Sequence, residues 1–553
     1  MNQNRLLAIL LGVLATLVLV VGGLSAVLLL SGGGEDDGGG GGGTTTGGGS
    51  DGGSDVEAAS GRLRLASDDP VTLDPALATD ALSAEYIVEI FGGLVTLDPE
   101  LNIVLDLADS VEVSDDGLVY TFVLRDDAQF HNGRRVTADD VRYSIERASS
   151  RELGSPTALA YLGDIVGARE HFFGVEESVS GIEVIDDKTI QFTIDEPKPY
   201  FLAKLTYPTA FVVDQEQIES NARNWTRRPN GTGPFELVDW RLGERIVLEA
   251  NESYHLGAPK LKEVVYLLSG GSQLTRWEND ELDIAPISVS DVERARDPNS
   301  DIGPYYSVFP QFSISYLAFN TAVPPFDDVH VRRALGMAID RQTLVDTTFF
   351  GMIQPATGIL MPQMPGYTPD DLTLPFDPEA AQAELALSQY ADDMPVIEIT
   401  EVGAGAEASI DMQAFLQQWQ EILGISVEIR QTDFATFLAD QDSGRLQAFA
   451  GGWIMDYPDP EDILDLKFHT DSALNDVAYT NPELDAILDQ ARTEQDSNAR
   501  LALYQDAQRL IIEDAVWLPL YFGQTHVVVK PEVEGWFDPP MVLPRLRFIE
   551  VNR

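Results

Sequence analysis

The most chemically suggestive stretch of the sequence runs from Gly451 to Asp462 and reads GGWIMDYPDPED. Its aromatic residues, prolines and carboxylates alternate directly after a short apolar stretch. A carboxylate such as Asp456, held between Trp453 and Tyr457, suits a ligand that carries an ammonium group. Composition alone favours a plainer interpretation, an acidic surface turn with two anchoring aromatics. A calcium loop is a third interpretation, but the ligand spacing and central glycine of an EF-hand are missing.

Signatures of catalysis and of resident cofactors are weak along the sequence. No G-x-S-x-G, H-E-x-x-H or Walker motif occurs, and the six histidines never pair at a spacing such as H-x-x-x-H. Cysteine is absent, which removes disulfides, thiolate zinc sites, iron–sulfur clusters and cysteine nucleophiles. We therefore expect a protein that is not an enzyme and that needs no cofactor or metal. The alternative is a tethered hydrolase that uses paired acids such as Asp456 and Asp459.

The 553 residues carry 36 Lys and Arg against 90 Asp and Glu, a net charge of −54. A surface this negative repels phosphate backbones, so nucleic acid is excluded as a partner. Two origins of the acidity stay open, a salt-rich habitat in which screening removes the self-repulsion, and a lineage with acidic exported proteins. Neither identifies a ligand.

The N-terminus predicts where the protein works. Leu6 to Leu30 is uncharged, and as a helix it would extend about 37 Å, enough to cross a bilayer. Arg5 precedes it and acidic residues follow, so the positive-inside rule puts the rest of the chain outside the cytoplasm. The apolar run is long for a cleaved signal peptide, so we favour an uncleaved anchor over residues 1–30. Residues 31–55 contain fourteen glycines and predict a disordered tether.

The body from Val56 to Arg553 alternates strand-like and helical patterns without internal repeats, which predicts a mixed α/β protein of more than one domain. The pattern predicts hairpins around 111–124 and 182–194, and a further strand over 245–250. It predicts helices over 138–148, 329–340, 378–389, 412–423 and 498–513, and a helix that begins at Asn481-Pro482.

Several motifs together resemble the dipeptide/oligopeptide family of extracellular solute-binding proteins, the receptors of ABC importers. Their order and spacing carry the resemblance over nearly all of Val56 to Arg553. The matching segments are Thr72–Pro75, Leu124–Gly133, Thr137–Val141, Asn230–Phe235, Asn251–Tyr254, Asn320–Thr321, Pro325–Leu335 and Trp453–Pro460.

The resemblance implies a type II, cluster C periplasmic-binding-protein-like α/β fold, with a ligand cleft between two lobes. We predict that residues 56–310 and 518–553 form lobe one and residues 311–517 form lobe two. In this family the carboxylate of the W-x-x-D pattern, here Asp456, pairs with the α-ammonium of a peptide. Trp453 and Tyr457 are predicted either to line the cleft or to pack in the core. Tyr316 and Asn320 are predicted either to contact ligand or to support the hinge.

The resemblance further implies a monomeric receptor at the outer face of the cell membrane, which delivers its ligand to a permease and ATPase subunits that are separate chains. Two departures from the family pattern bear on the ligand. Gly92 stands where many relatives have Glu, and the stretch Gln447–Gly452 lacks the Arg that some oligopeptide receptors carry there. A counter-charge for a peptide carboxylate is therefore not visible. A receptor or sensor for another solute, such as a nickel complex or a sugar, stays open as an alternative to a peptide receptor.

Overall fold

The structure is a computed structural model that describes residues 59–403, 408–472 and 474–553, with the side chains of residues 435 and 442 excepted. The predicted anchor and tether over residues 1–55 lie outside the described residues. Among the described helices, none is long and apolar enough to cross a membrane. The helices are Ala81–Ile90, Ala138–Ala148, Ala158–Tyr161, Ala168–Phe172, Phe201–Lys204, Gln215–Ser220, Gln273–Glu278, Val292–Arg296, Val329–Met337, Arg341–Thr347, Pro378–Leu387, Ile410–Leu423, Phe434–Asp442, Glu461–Phe468, Pro482–Thr493 and Ser497–Glu513.

Three larger sheets organise the described chain. Two have four strands each, and one has seven strands. The strand order of the first is Arg62–Ala66, Glu263–Leu267, Arg245–Ala250 and Phe235–Arg241, and that of the second is Ala108–Val113, Val119–Leu124, Thr189–Thr193 and Ile182–Asp186. The seven-stranded sheet runs Ile284–Pro286, Trp517–Val529, Tyr306–Phe319, Ala448–Ile454, Ile397–Val402 and Val427–Thr432, with Gln354–Pro355 paired to Trp517–Val529. Small ribbons pair Val95–Leu97 with Ile103–Leu105 and Val533–Glu534 with Glu550–Val551.

Two long neighbouring strands form the spine of the seven-stranded sheet. Tyr306–Phe319 and Trp517–Val529 run antiparallel, from the pair Tyr306 and Val528 to the pair Ala318 and Trp517. Their register breaks between Pro310 and Ile314, opposite residues 522–524. Such an irregularity increases the local bend and twist of a strand pair. The strand pair is therefore bent and twisted locally where its register breaks.

The buried apolar residues of the described chain fall into four clusters, the first of which joins residues from 76–212 to residues from 312–543. One cluster packs the first four-stranded sheet, and the C-terminal residues Leu546, Ile549 and Val551 are buried in it. Another cluster covers the seven-stranded sheet with Trp419 and Phe415 of the helix Ile410–Leu423. The end of the chain thus returns to the sheet with which the described chain begins.

Most predicted elements lie where their patterns put them, and the helix starts illustrate why. Thr137 caps the helix Ala138–Ala148 in a capping box with Asp140, and Asn481 accepts from the first turn of Pro482–Thr493. The helix predicted over 329–340 is wrong at its end, because it stops at Met337. Asp340 instead accepts from the Thr343 backbone and caps a separate helix, Arg341–Thr347.

Candidate functional site

A cavity of about 2210 Å³ lies between elements from distant parts of the chain. Residues 155–207, mostly short helices and loops, contribute to its wall, and so do the strand Ala448–Ile454 and the helix Glu461–Phe468. Pockets for small molecules usually occupy roughly 300–1,000 Å³. This cavity is larger, so it can hold an extended ligand of several residues.

Asp456 lies in this wall, in the loop between the strand Ala448–Ile454 and the helix Glu461–Phe468. The loop is fixed by Asp462, whose Oδ2 accepts from the Asp456 backbone N–H at 2.9 Å and from the Trp453 indole at 3.3 Å. The Asp456 carboxylate accepts a hydrogen bond from the Tyr161 hydroxyl. Among the described residues, no Lys, Arg or His forms an ion pair with it.

Burial raises the pKa of Asp456 to about 7, and the hydrogen bond from Tyr161 opposes that rise. Burial also raises the pKa of its neighbours Glu461 and Asp462. Desolvation penalises the charged carboxylate wherever no cation compensates it. The site is therefore a cavity wall in which a cationic group would be stabilised.

Tyrosine rings hold Tyr161 in place beside Asp456. The Tyr161 ring stacks on Tyr207 with centroids 3.9 Å apart, and it meets Tyr457 edge-on at 6.1 Å. Sequence reasoning missed Tyr161 and Tyr207 as site residues, because neither carries a local motif and both lie roughly 250 to 300 positions before Asp456 in the chain. Their role depends on spatial contact with a segment far away in the sequence, which no local pattern reveals.

The other predicted site residues take different positions. Trp453 lines the cavity, and Lys467 Nζ lies 5.2 Å from the centre of its ring. Tyr457 is wholly buried behind the wall, where its hydroxyl donates to Glu461. Tyr457 therefore does not line the cleft and takes the other predicted position, because its ring fills space in the core and leaves the wall to Asp456.

Tyr316 and Asn320 lie on the long strand Tyr306–Phe319 and just after it. Tyr316 reaches the cavity wall, but it is only 1% exposed and stacks on Trp517 at 3.4 Å. Its partner across the sheet is Gly451, where a Cβ would come within 2.8 Å of the Tyr316 ring. Asn320 does not reach the wall, and its amide donates to the backbone carbonyls of Gly444 and Leu446. We predicted that Asn320 either contacts ligand or supports the hinge, and its contacts match the supporting role.

Carboxylates dominate the cavity wall. Sixteen Asp and Glu side chains line the cavity within the described chain, against six Lys and Arg side chains. Five of these cations already pair with protein carboxylates: Lys198 with Asp164 and Asp195, Lys204 with Asp164 and Glu461, Lys467 with Asp476, Arg492 with Asp465 and Asp489, and Arg545 with Asp538. The sixth, Arg169, is exposed and donates to the Gly163 carbonyl. The wall thus attracts cations and discourages anions.

The absence of a side chain at residue 92 has a structural explanation. A Cβ at this position would come within 2.4 Å of Asp106 Oδ2. Asp106 is itself fixed by hydrogen bonds from Tyr254, at 3.1 Å, and with His255, at 2.6 Å. The carboxylate of Asp106 therefore occupies the space that a side chain at residue 92 would need.

The sheets, the register break in the long strand pair and the large cavity are those of a two-lobed α/β binding protein of the periplasmic-binding-protein type. The chain belongs to the bacterial extracellular solute-binding proteins, family 5, whose model matches residues 102–475. The family consists of binding proteins and not of enzymes.

Curated relatives differ in the ligand that their names give. The chain is 30% identical to the periplasmic oligopeptide-binding protein OppA of Escherichia coli K12, over 84% of this chain and 87% of OppA. It is 29% identical to the probable deoxycholate-binding periplasmic protein YgiS of the same organism, over 85% of this chain and 89% of YgiS. Among solved structures it is similar to the murein tripeptide-binding protein MppA of Escherichia coli. That match has a TM-score of 0.75 and 27% identity, and covers 89% of this chain and 98% of MppA.

Proposed function

We propose that this protein is an extracytoplasmic receptor that captures peptides and delivers them to an ABC importer. The observation that carries the proposal is Asp456, a carboxylate in the cavity wall that is largely removed from water and has no cation beside it in the described chain. An ammonium group supplies the missing charge, and desolvation strengthens the resulting pair. The free α-ammonium of a peptide fits this requirement, and the name of the relative OppA agrees with it.

The size and walls of the cavity support a peptide over a small anion. A ligand such as deoxycholate carries a carboxylate and would need a cation to receive it. The Lys side chains of the wall and two of its three Arg side chains are already engaged by protein carboxylates. Backbone recognition of an extended peptide, by contrast, needs chiefly main-chain hydrogen bonds and room for side chains.

We further propose how the chain is anchored to the membrane and how its binding body divides into lobes. Residues 1–30 anchor the chain in the membrane and residues 31–55 tether it, while the permease and ATPase are separate chains. Lobe one comprises residues 56–310 and 518–553, and lobe two comprises residues 311–517. The register break at Pro310 supports the first crossing. The register break lies opposite residues 522–524, a few positions beyond the proposed second crossing at residue 518.

Mass spectrometry of small molecules released from the purified, denatured protein tests the proposal. We expect peptides with free amino termini. Recovery of a single non-peptide solute, with no binding of added peptides, would contradict it. Incubation with excess peptide tests the hydrolase alternative, because a receptor returns its ligand unchanged.

A further inference from the structure

A second part of the cavity wall, distinct from Asp456, combines two carboxylates with aromatic rings. Glu401 ends the strand Ile397–Val402, Asp411 lies in the first turn of the helix Ile410–Leu423, and Tyr521 belongs to the strand Trp517–Val529. All three line the same cavity, together with Phe349. We call this group of four residues the acidic recess.

Tyr521 distinguishes the recess from an ordinary acidic surface. The residue is only 4% exposed, and its hydroxyl is buried without a hydrogen-bond partner in the described structure. The Phe349 ring meets it edge-on, with centroids 5.3 Å apart. A buried polar group without a partner costs free energy, and a ligand group that supplies the partner recovers it.

The two carboxylates are held close to one another through Ser409. Glu401 is 4% exposed and accepts from the Ser409 N–H at 2.9 Å and from its hydroxyl at 2.7 Å. Asp411 lies two residues after Ser409, and the negative charge of Glu401 adds to burial in raising the pKa of Asp411. No described residue forms an ion pair with either carboxylate.

The positive charge of Arg341 acts on Tyr521 and lowers the pKa of its hydroxyl against the larger effect of burial. Arg341 itself does not line the cavity. Its guanidinium donates to the Pro519 carbonyl at 3.3 Å and to the Leu374 carbonyl at 3.0 Å. It is thus committed behind the wall. The recess keeps an excess of negative charge that a ligand can meet.

We infer that the acidic recess is a second ligand subsite, which takes a basic side chain of the bound peptide, the ammonium of Lys or the guanidinium of Arg. The inference rests on the proposed function and adds a substrate class to it. The carboxylates of Asp411 and Glu401 accept charge-assisted hydrogen bonds from the basic group, and Tyr521 Oη accepts a further one. The rings of Phe349 and Tyr521 pack along its aliphatic stem.

Strand geometry relates the recess to Asp456. Thr400 pairs with Phe449, so Glu401 lies beside Ala450, six positions before Asp456. At about 3.3 Å per residue, the two sites are separated by at most about 20 Å. An extended peptide of about six residues covers this distance, so the preferred basic residue lies some way from the amino terminus and not at it.

Isothermal titration of the full-length protein in detergent tests the subsite with three hexapeptides. Each consists of alanine except at the fifth position, which carries Lys, its uncharged isostere norleucine, or Glu. We expect the Lys peptide to bind about tenfold more tightly than the norleucine peptide, and the Glu peptide to bind most weakly. Asp411→Asn and Tyr521→Phe should each reduce the ratio of the affinities for the Lys and norleucine peptides.

The control is Glu196→Gln, which makes the same change of charge at an exposed position of the cavity wall. It should leave the Lys preference intact. Equal binding of the Lys and norleucine peptides, or an equal loss of preference in Glu196→Gln and Asp411→Asn, would overturn the inference in favour of a diffuse negative field. Thermal unfolding of each variant verifies that it is folded.

Failure of the proposed function has a different signature, because no peptide would then bind. The recess can still be tested with the amine alone, by comparing the shift of the melting temperature caused by n-butylammonium with that caused by butan-1-ol. A larger shift with the amine that Asp411→Asn abolishes supports a cation subsite. Equal shifts in the wild-type protein and the variant overturn it.

Discussion

Asp456 holds a charge that the protein itself does not balance. Some buried carboxylates elsewhere in the wall are compensated, as Asp465 is by Arg492 at 2.7 Å. Asp456, by contrast, accepts from the neutral hydroxyl of Tyr161 and has no ion-pair partner among the described residues. An uncompensated buried charge is costly in a free protein and favourable for a ligand of opposite charge.

Replacing Asp456 with Asn keeps the size of the side chain and removes its charge. We expect the affinity for a free-amine peptide to fall by about 2–5 kcal/mol, the usual cost of breaking a buried charge pair. An N-acetylated peptide should already bind poorly to the wild-type protein, and the substitution should affect it much less. Isothermal titration of both proteins with both peptides measures this as a double-mutant cycle.

The control for that cycle must be an exposed acid of the same wall. Asp459 is unsuitable, because its carboxylate accepts two hydrogen bonds of 2.7 Å from the buried guanidinium of Arg500. Asp459→Asn would therefore disturb the fold. Asp471 lines the cavity and is exposed, so Asp471→Asn should change affinity only slightly. Equal losses for Asp456→Asn and Asp471→Asn would contradict a specific ammonium site.

The raised pKa of Asp456 also predicts how binding depends on pH. Since its folded-state pKa is about 7 and that of an unfolded Asp is about 3.9, the carboxyl is largely neutral below neutrality. Affinity for a free-amine peptide should rise with pH through about 7, and then fall above about 8 as the α-ammonium deprotonates.

The same shift has a consequence for stability, because the folded state binds more protons than the unfolded state between pH of about 4 and 7. The free energy of unfolding of the ligand-free protein should therefore fall as pH rises through this window. Asp456→Asn should flatten both dependences, which titration and denaturant unfolding measure across pH 5 to 9. A rise of affinity with pH that survives in Asp456→Asn would assign the dependence to Glu461 or Asp462.

Among the elements, the short helix Phe201–Lys204 is tied to Glu461–Phe468 by a buried ion pair. Lys204 Nζ lies 3.0 Å from Asp164 Oδ2 and 3.3 Å from Glu461 Oε1, and these carboxylates raise the pKa of Lys204 against the opposing effect of burial. Lys204→Met leaves these carboxylates without that cation. We expect it to lower the free energy of unfolding by about 3–5 kcal/mol, measured by urea denaturation.

Lys260→Met is the matched control for this prediction. Lys260 pairs with Glu550 at 3.5 Å, and both side chains are well exposed to solvent. Exposed pairs contribute about 1 kcal/mol or less, so the control should unfold almost as the wild-type protein does. Similar losses in the two variants would show that the buried pair adds nothing beyond its packing.

Comparison of elements shows what the sequence could predict. The helix Ala138–Ala148 and the hairpin around residues 182–194 were predictable, because caps, turns and apolar periodicity act over a few neighbouring residues. Asp456 was identifiable because its motif is local. Tyr161 and Lys204 were not, since each acquires its role from partners more than 250 positions away. The position of Tyr457 stayed open between core and cleft, because an aromatic residue suits both equally well.

At the scale of the whole molecule, the proposed N-terminal anchor would hold the receptor at the membrane. We expect the native protein to retain Leu6 to Leu30 and to fractionate with membranes, because about 20 apolar residues suffice to cross a bilayer. N-terminal sequencing of the protein from its membrane fraction measures this. A mature chain beginning within residues 31–55 would contradict the uncleaved anchor and leave the receptor proposal intact.

The proposed lobes must separate to admit a ligand, because they are in contact in this structure. The hydroxyl of Tyr161 occupies Asp456, and Gln495 Nε2 donates to the Pro197 carbonyl at 2.8 Å across the same boundary. A ligand ammonium at Asp456 joins the lobes from within, so binding should shift the population from open to closed molecules.

Single-molecule energy transfer can measure this closure, and the absence of cysteine from the sequence makes labelling specific. Glu196→Cys and Asn498→Cys place dyes at exposed positions that flank the contact between Pro197 and Gln495. We expect a free-amine peptide to raise the transfer efficiency, because closure brings the two dyes together. The N-acetylated peptide should raise it far less at the same concentration. If the efficiency is high without ligand and peptide leaves it unchanged, the free protein does not open at this boundary, and the proposed division into lobes fails.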